Sequence, residues 1–129
     1  MKILAFAGSA RADSFNCRLL SIATEMLIDR DITVDTFDFK QFPLPIYDGD
    51  LEQQSGLPEN AKKVKEAWRT HDGFVIASPE YNSAYSPLLK NAIDWASRSE
   101  TADEPPLAAF NGKTAVLLST SPGALGGLR

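Results

Sequence analysis

The sequence has 129 residues, 43% of them hydrophobic and 23% charged, which suits one domain with a single core and excludes a disordered or fibrous chain. With 13 Lys and Arg against 17 Asp and Glu the formal charge is −4, so nucleic acid is not an expected partner and any anionic ligand must be held by a local pocket. The single cysteine, Cys17, excludes an internal disulfide and a multi-cysteine metal site, and it fits a reducing, cytoplasmic setting. The opening apolar run, Ile3–Ala7, is too short for a secretion signal, and no stretch approaches the ~18 apolar residues of a membrane span. A soluble cytoplasmic protein with no membrane partner is expected.

Lys2–Ala7 reads as a buried strand running into a loop at Gly8-Ser9. Apolar residues at 15, 19, 22, 23, 26 and 27 then follow helical spacing, so a helix is predicted from Ser14 to about Asp29, capped by Asp13 or Ser14. Ile32–Phe37 is β-branched and alternating, a second strand. Lys40–Gly56, with Pro43, Pro45 and Gly49, has no helical period and is expected to be an irregular excursion. Leu57, Ala61, Val64 and Trp68 mark a helix opened by Pro58. Asp72–Ala77 is a third strand, and Ser86-Pro87 starts a helix whose buried side is Leu88, Leu89, Ala92, Ile93 and Ala96. A polar connector, Ser99–Asn111, leads to a fourth strand at Lys113–Ser119. Ser121–Gly127 is a loop expected to open another helix.

This βα alternation, with strands apolar on both faces, implies a parallel sheet covered by helices on both sides. Ligands of open α/β sheets sit at the carboxyl ends of the strands. Three loops are therefore expected to build the site: Gly8–Asn16, Ser78–Tyr85 and Thr120–Gly126. The first offers the hydroxyls of Ser9 and Ser14, the amide of Asn16, the guanidinium of Arg11 and a helix start, which suits a phosphate monoester. It lacks both the P-loop and the G-x-G-x-x-G spacing. The second sets Tyr81 beside amides that could flank and hydrogen-bond a flat heterocycle, and the third, Thr120-Ser121-Pro122-Gly123, lets a ring approach the main chain. Together the three loops describe a mononucleotide with a planar ring, best met by flavin mononucleotide (FMN).

At these residues the sequence resembles the NADPH-dependent FMN reductase family, the flavodoxin-like group that includes chromate, quinone and azo reductases. The likeness rests on Gly8-Ser9-x-Arg11-x-x-Ser14-x-Asn16, on Pro79-Glu80-Tyr81-Asn82 followed by Leu89-Lys90-Asn91-Ala92-Ile93-Asp94-Trp95, and on Ser121-x-Gly123-x-x-Gly126-Gly127. The resemblance implies that Ser9, Arg11, Ser14, Phe15 and Asn16 hold the FMN phosphate. It implies that Pro79, Glu80, Tyr81 and Asn82, with Ser83 nearby, line the isoalloxazine, and that Ser121, Pro122 and Gly123 border its other side. It further implies hydride transfer from NADPH or NADH through FMN to a small-molecule electron acceptor, with no classical catalytic residue. A homodimer or homotetramer is implied as well, with the Pro43–Gly56 excursion reaching a partner subunit. The rival readings are a flavodoxin-type electron carrier and a non-enzymatic FMN-binding module. A response regulator is disfavoured because Gly8-Ser9 and Ser78-Pro79 stand where it needs acidic residues.

The implied architecture is a doubly wound parallel sheet of order 2-1-3-4-5. Only four strands are counted in residues 1–129, so a single domain lacking its fifth strand and last helix is expected. That expectation carries three others: a fragment or a second chain supplying the rest, an unpaired fourth strand, and exposure of the Leu19/Ile22/Met26 stripe. His71 is expected at the surface or in a cap, Cys17 as inert packing, and Trp68 and Trp95 in the core. Lys62, Lys63 and Lys65 are expected on a solvated helix face.

Overall fold

The computed structural model describes residues 1–127. Four parallel strands form its sheet: β1 (Lys2–Ala7), β2 (Thr33–Phe37), β3 (Gly73–Ala77) and a fourth over Thr114–Leu118, taken up below as β6. Two short strands, β4 (Glu80–Tyr81) and β5 (Ala84–Tyr85), make a separate antiparallel hairpin, and β6 is thus Thr114–Leu118. The helices are α1 (Phe15–Ile28), α2 (Gly49–Ser55), α3 (Glu59–Arg69) and α4 (Pro87–Ala96). The strand order β2-β1-β3-β6, all parallel, is the expected order over the four strands present.

The two sheet faces differ in residue size, and this sets how the helices sit. Leu4, Phe6, Phe74 and Ile76 point into a core closed by Val64 and Trp68 of α3 and by Leu89, Ala92 and Ala96 of α4. Phe6 stacks on Trp68 at 5.0 Å between centroids, and Phe39, Phe74 and Phe110 surround the pair. The opposite face carries the small Ala5, Val75 and Ala77, against which Leu20 of α1 packs.

Five expectations are corrected in whole or in part. The excursion after residue 40 is not irregular throughout: Asp48 accepts hydrogen bonds from the N–H groups of Asp50 and Leu51 and so caps α2. The Ser78–Tyr85 loop is a hairpin. Lys65 is 2% exposed and not on a solvated face: its ammonium donates at 2.6 Å to both the Arg98 carbonyl and Glu104 Oε2. His71 is 5% exposed and so not at the surface, while the expected cap role holds: one ring nitrogen faces Ala67 O in the last turn of α3 at 2.6 Å and the other faces Asp35 Oδ2 at 3.1 Å. The helix expected to follow Ser121 is not formed up to Gly127, where the chain makes a bend and a turn with the Gly126 N–H donating to Gly123 O at 3.2 Å, and its continuation lies outside the described residues.

Other expectations hold. Trp68 and Trp95 are fully buried. The outer flank of α1 is apolar and open, with Ile22 and Met26 about half exposed and Leu19 half-buried. Among the described residues β6 pairs only with β3, and its Leu117 is 73% exposed.

Candidate functional site

The carboxyl ends of the strands bring the three expected loops together. β1 runs on into Gly8, whose N–H donates to Ala77 O at 2.8 Å, and β3 runs on into Ser78, whose N–H donates to Leu118 O at 2.9 Å. Gly8 must be glycine: a Cβ there would lie 2.8 Å from Ser86 Oγ and 3.1 Å from Ser78 Oγ. Ser86 is itself fixed, because its buried hydroxyl caps α4 by accepting the Leu89 N–H. The first loop and the start of α4 thus meet at van der Waals distance.

The first loop carries the groups expected to meet an anion. Ser14 caps α1, its Oγ accepting from Cys17 N at 3.4 Å, and Ser9 Oγ accepts from Arg11 N at 3.4 Å. Each hydroxyl therefore spends an acceptor lone pair on the backbone; Ser9 is half-buried and Ser14 is buried. The first turn of α1 adds N–H groups that have no partner within the helix. Arg11 is exposed and makes no ion pair among the described residues. Phe15 is 43% exposed, with the Arg18 guanidinium 5.8 Å from its ring centroid. Asn16 differs from its neighbours: it is buried, and both ends of its amide bond the Thr120 backbone at 3.1 Å.

The hairpin supplies the second wall. Asn82 and Ser83 both have positive φ, 53° and 64°, the pair a tight two-residue turn of this type demands. A non-glycine residue in that region costs roughly 1–2 kcal/mol. Glu80 offsets part of this, since its Oε1 accepts from Ser83 N at 2.9 Å. Glu80 is thereby a loop-orienting carboxylate. Tyr81 and Tyr85 are each about half exposed. A cleft of about 610 Å³ opens between the hairpin, α4 and β6, lined by Pro79, Glu80, Tyr85, Leu89, Ile93 and Leu117 among others.

Of the residues singled out in the sequence, Pro79 and Glu80 line this cleft, while Tyr81, Asn82 and Ser83 form the hairpin's turn side. Ser121, Pro122 and Gly123 form an exposed turn in which Ser121 Oγ accepts from Gly123 N at 3.3 Å. Ser9 borders a separate cleft of about 510 Å³ that also includes Cys17, Ser21 and Asp38, beneath the carboxyl ends of β1 and β2. Sequence reasoning missed Leu117 and Ile93 as cleft residues, because an apolar strand or helix position reads as core until its neighbours are known.

The excursion is strapped to α4. Tyr47 N donates to Asn91 Oδ1, and Asn91 Nδ2 and Trp95 Nε1 both donate to Pro45 O, at 2.8–2.9 Å. Arg98 Nε bonds Glu52 at 2.9 Å, and the Tyr47 hydroxyl donates to Glu52 at 2.8 Å. The Arg98 guanidinium accordingly holds the Glu52 carboxyl below its ordinary range, and the Glu52 carboxylate raises the Tyr47 phenol. Between these anchors Ile46 is 86% exposed.

An open parallel sheet with helices on both faces and its loops gathered at the carboxyl edge defines a doubly wound α/β fold. Residues 1–129 match the NADPH-dependent FMN reductase family, and the chain belongs to it. It is 36% identical over 129 residues to the NAD(P)H-dependent FMN reductase of Pseudomonas aeruginosa, and 34% identical over 132 residues to the quinone reductase of Escherichia coli K12. Each alignment covers 100% of this chain and 64% of the relative. Among solved structures it is similar to FerB, a flavoenzyme NAD(P)H:(acceptor) oxidoreductase from Paracoccus denitrificans, with a TM-score of 0.81 and 30% identity over 98% of this chain and 64% of that one. The chain thus spans about 64% of the length of the relatives it matches.

Proposed function

We propose that this chain binds FMN and serves an NAD(P)H-dependent oxidoreductase whose acceptor is a flavin, a quinone, an azo compound or chromate. The observation that carries this reading is the first loop: Ser9, Ser14, a helix start and a guanidinium with no ion pair among the described residues follow one another at the carboxyl edge of the sheet. That donor set fits a phosphate monoester, and the aromatic hairpin beside it fits a flat ring. The flavin would supply the redox chemistry, carrying reducing equivalents from NADPH or NADH to the acceptor. The protein's own part is positional. Ser9, Arg11 and Ser14, with Phe15 and Asn16 beside them, form the phosphate end. Pro79, Glu80, Tyr81, Asn82 and Ser83 form one wall of the ring site, and Ser121, Pro122 and Gly123 form the other. A quinone acceptor is supported by the name of the Escherichia coli relative and by that of a Burkholderia relative, a 2-hydroxy-1,4-benzoquinone reductase 37% identical over 126 residues.

Titration of the purified chain with FMN tests the reading. Saturable binding with a perturbed visible flavin spectrum is expected, and its absence from folded protein would remove the cofactor. Bleaching of the bound flavin by NADPH separates a reductase from a pure electron carrier. Arg11→Ala should weaken FMN by roughly tenfold or more, the worth of a charge-assisted bond, and leave riboflavin unchanged. Equal losses for both flavins would take Arg11 out of the phosphate role.

A cytoplasmic location and a homodimer or homotetramer are part of the same proposal. No helix of the described residues is long and apolar enough to cross a membrane. For self-association the strapped excursion is the favoured surface, since it presents Ile46 rigidly to solvent. Light scattering on Ile46→Glu should report a smaller assembly than the parent; identical masses would move the interface elsewhere.

A further inference from the structure

We propose that Asn16 is a positioning residue that splices the first loop to the loop after β6, and that it is not a ligand of the phosphate. The proposal rests on the FMN reading above. In a parallel sheet the N–H and C=O of one residue point to the same neighbouring strand, and the residue two further on repeats that direction. Leu118 at the end of β6 turns its carbonyl to Ser78 N at 2.9 Å. Thr120 is two residues further along, where β3 has left the sheet. The register sets Thr120 opposite Pro79, so its ladder partners would be the Ser78 carbonyl and the Glu80 N–H; the Ser78 carbonyl is already taken by Ser119 Oγ at 2.8 Å, and Glu80 belongs to the separate hairpin.

The Asn16 side chain fills the vacated place. Its Nδ2 donates to Thr120 O and its Oδ1 accepts from Thr120 N, each at 3.1 Å. A primary amide carries the same donor–acceptor pair as a peptide group, so it extends the sheet's ladder by one rung from a residue 104 positions away in sequence. The opposite amide orientation would set donor against donor and acceptor against acceptor. Asn16 is 4% exposed, so the two bonds are not shared with bulk water. The consequence is geometric. The loop that carries Ser9, Arg11 and Ser14 and the loop that carries Ser121–Gly123 are held at one separation, and a flavin spanning both depends on it whether or not it carries a phosphate.

Asn16→Ala and the near-isosteric Asn16→Asp test this by fluorescence titration with FMN and with riboflavin. Asn16→Asp sets a carboxylate oxygen against the Thr120 carbonyl and breaks the splice with little change in volume. Asn16→Ala should weaken both flavins by a similar factor, about tenfold for two lost buried hydrogen bonds, and alter the visible circular dichroism of the bound flavin; Asn16→Asp should weaken riboflavin as well and FMN further, by the repulsion of its charge. Arg11→Ala in the same titration should affect FMN alone. Loss of FMN affinity with riboflavin unchanged in Asn16→Ala would make Asn16 a phosphate ligand and overturn the proposal, as would unchanged affinity for both. Amide hydrogen exchange reads the splice without any flavin: the Thr120 N–H should be protected in the parent chain and released in Asn16→Ala, which removes its acceptor. If the parent binds neither flavin, the FMN reading fails while exchange still decides the splice; equal protection of Thr120 in the parent and Asn16→Ala overturns it.

Discussion

Replacing Trp68 with alanine is expected to lower the unfolding free energy by about 3–5 kcal/mol, the usual cost of emptying a buried aromatic site. Trp68 is 1% exposed, stacked on Phe6 at 5.0 Å, and edged by Phe110 at 5.4 Å. Because it joins α3, the sheet and the connector, no single neighbour can close the space. Domains of this size are stable by about 5–15 kcal/mol, so the variant should sit near or below its folding threshold. Trp68→Phe provides the control. Trp68 Nε1 is buried with no hydrogen-bond partner among the described residues, so phenylalanine loses ring area and also removes an unsatisfied donor. Urea denaturation should therefore place Trp68→Phe much closer to the parent than Trp68→Ala. Equal midpoints for the two variants would show that the aromatic stack contributes little.

Lys65→Ala is expected to cost about 3–5 kcal/mol, because it leaves charged and polar partners without their counter-group. The ammonium holds Glu104 at 2.6 Å and the Arg98 carbonyl at 2.6 Å, with Glu100 at 3.6 Å, and so ties the end of α4 and the connector to α3. Exchanging both partners, as Lys65→Met with Glu104→Gln, should recover most of the loss. The same pair sets a pH dependence. The Lys65 ammonium, followed by the Glu100 N–H, holds the Glu104 carboxyl below its ordinary range. A depressed folded-state value means that the contribution is fully present above the unfolded carboxyl's pKa of about 4.3 and is lost as pH falls through the lower folded one. Acid titration of stability should accordingly fall less steeply below that point in the double variant than in the parent. Identical slopes would assign the acid sensitivity to other carboxylates.

Much of this molecule is legible from spacing alone. The alternation of strands and helices, the cap at Ser14, the Ser86-Pro87 start of α4 and the three loops at one edge all follow from local pattern, and the structure keeps them. Local pattern misled where one residue type serves two environments. Three lysines in α3 read as a solvated face, yet Lys65 shares the 61/64/65/68 spacing with Ala61, Val64 and Trp68, which is the buried stripe. In α1 the apolar residues at 15, 19, 22, 23, 26 and 27 set the helical period, with the Leu19/Ile22/Met26 stripe expected to be partly exposed. The sheet buries Asn16, Leu20 and Thr24. Two of those are polar, acceptable inside because Asn16 is satisfied by Thr120 and Thr24 Oγ1 donates to Ser21 O at 2.8 Å. Hydrophobicity counts cannot anticipate a polar group whose partner lies a hundred residues away.

The sequence by itself determined the order of elements, the parallel sheet and the edge at which a ligand would be held, because those depend on periodicity, caps and chain connectivity. It also determined the family, through motifs whose spacing survives in one dimension. Only the tertiary structure decided which face of α1 is covered, that Lys65 and His71 are interior, that Glu80 braces its own hairpin, and that Asn16 bonds the backbone of Thr120. Each of these is set by hydrogen-bond satisfaction between segments distant in sequence, and that is a property of packing.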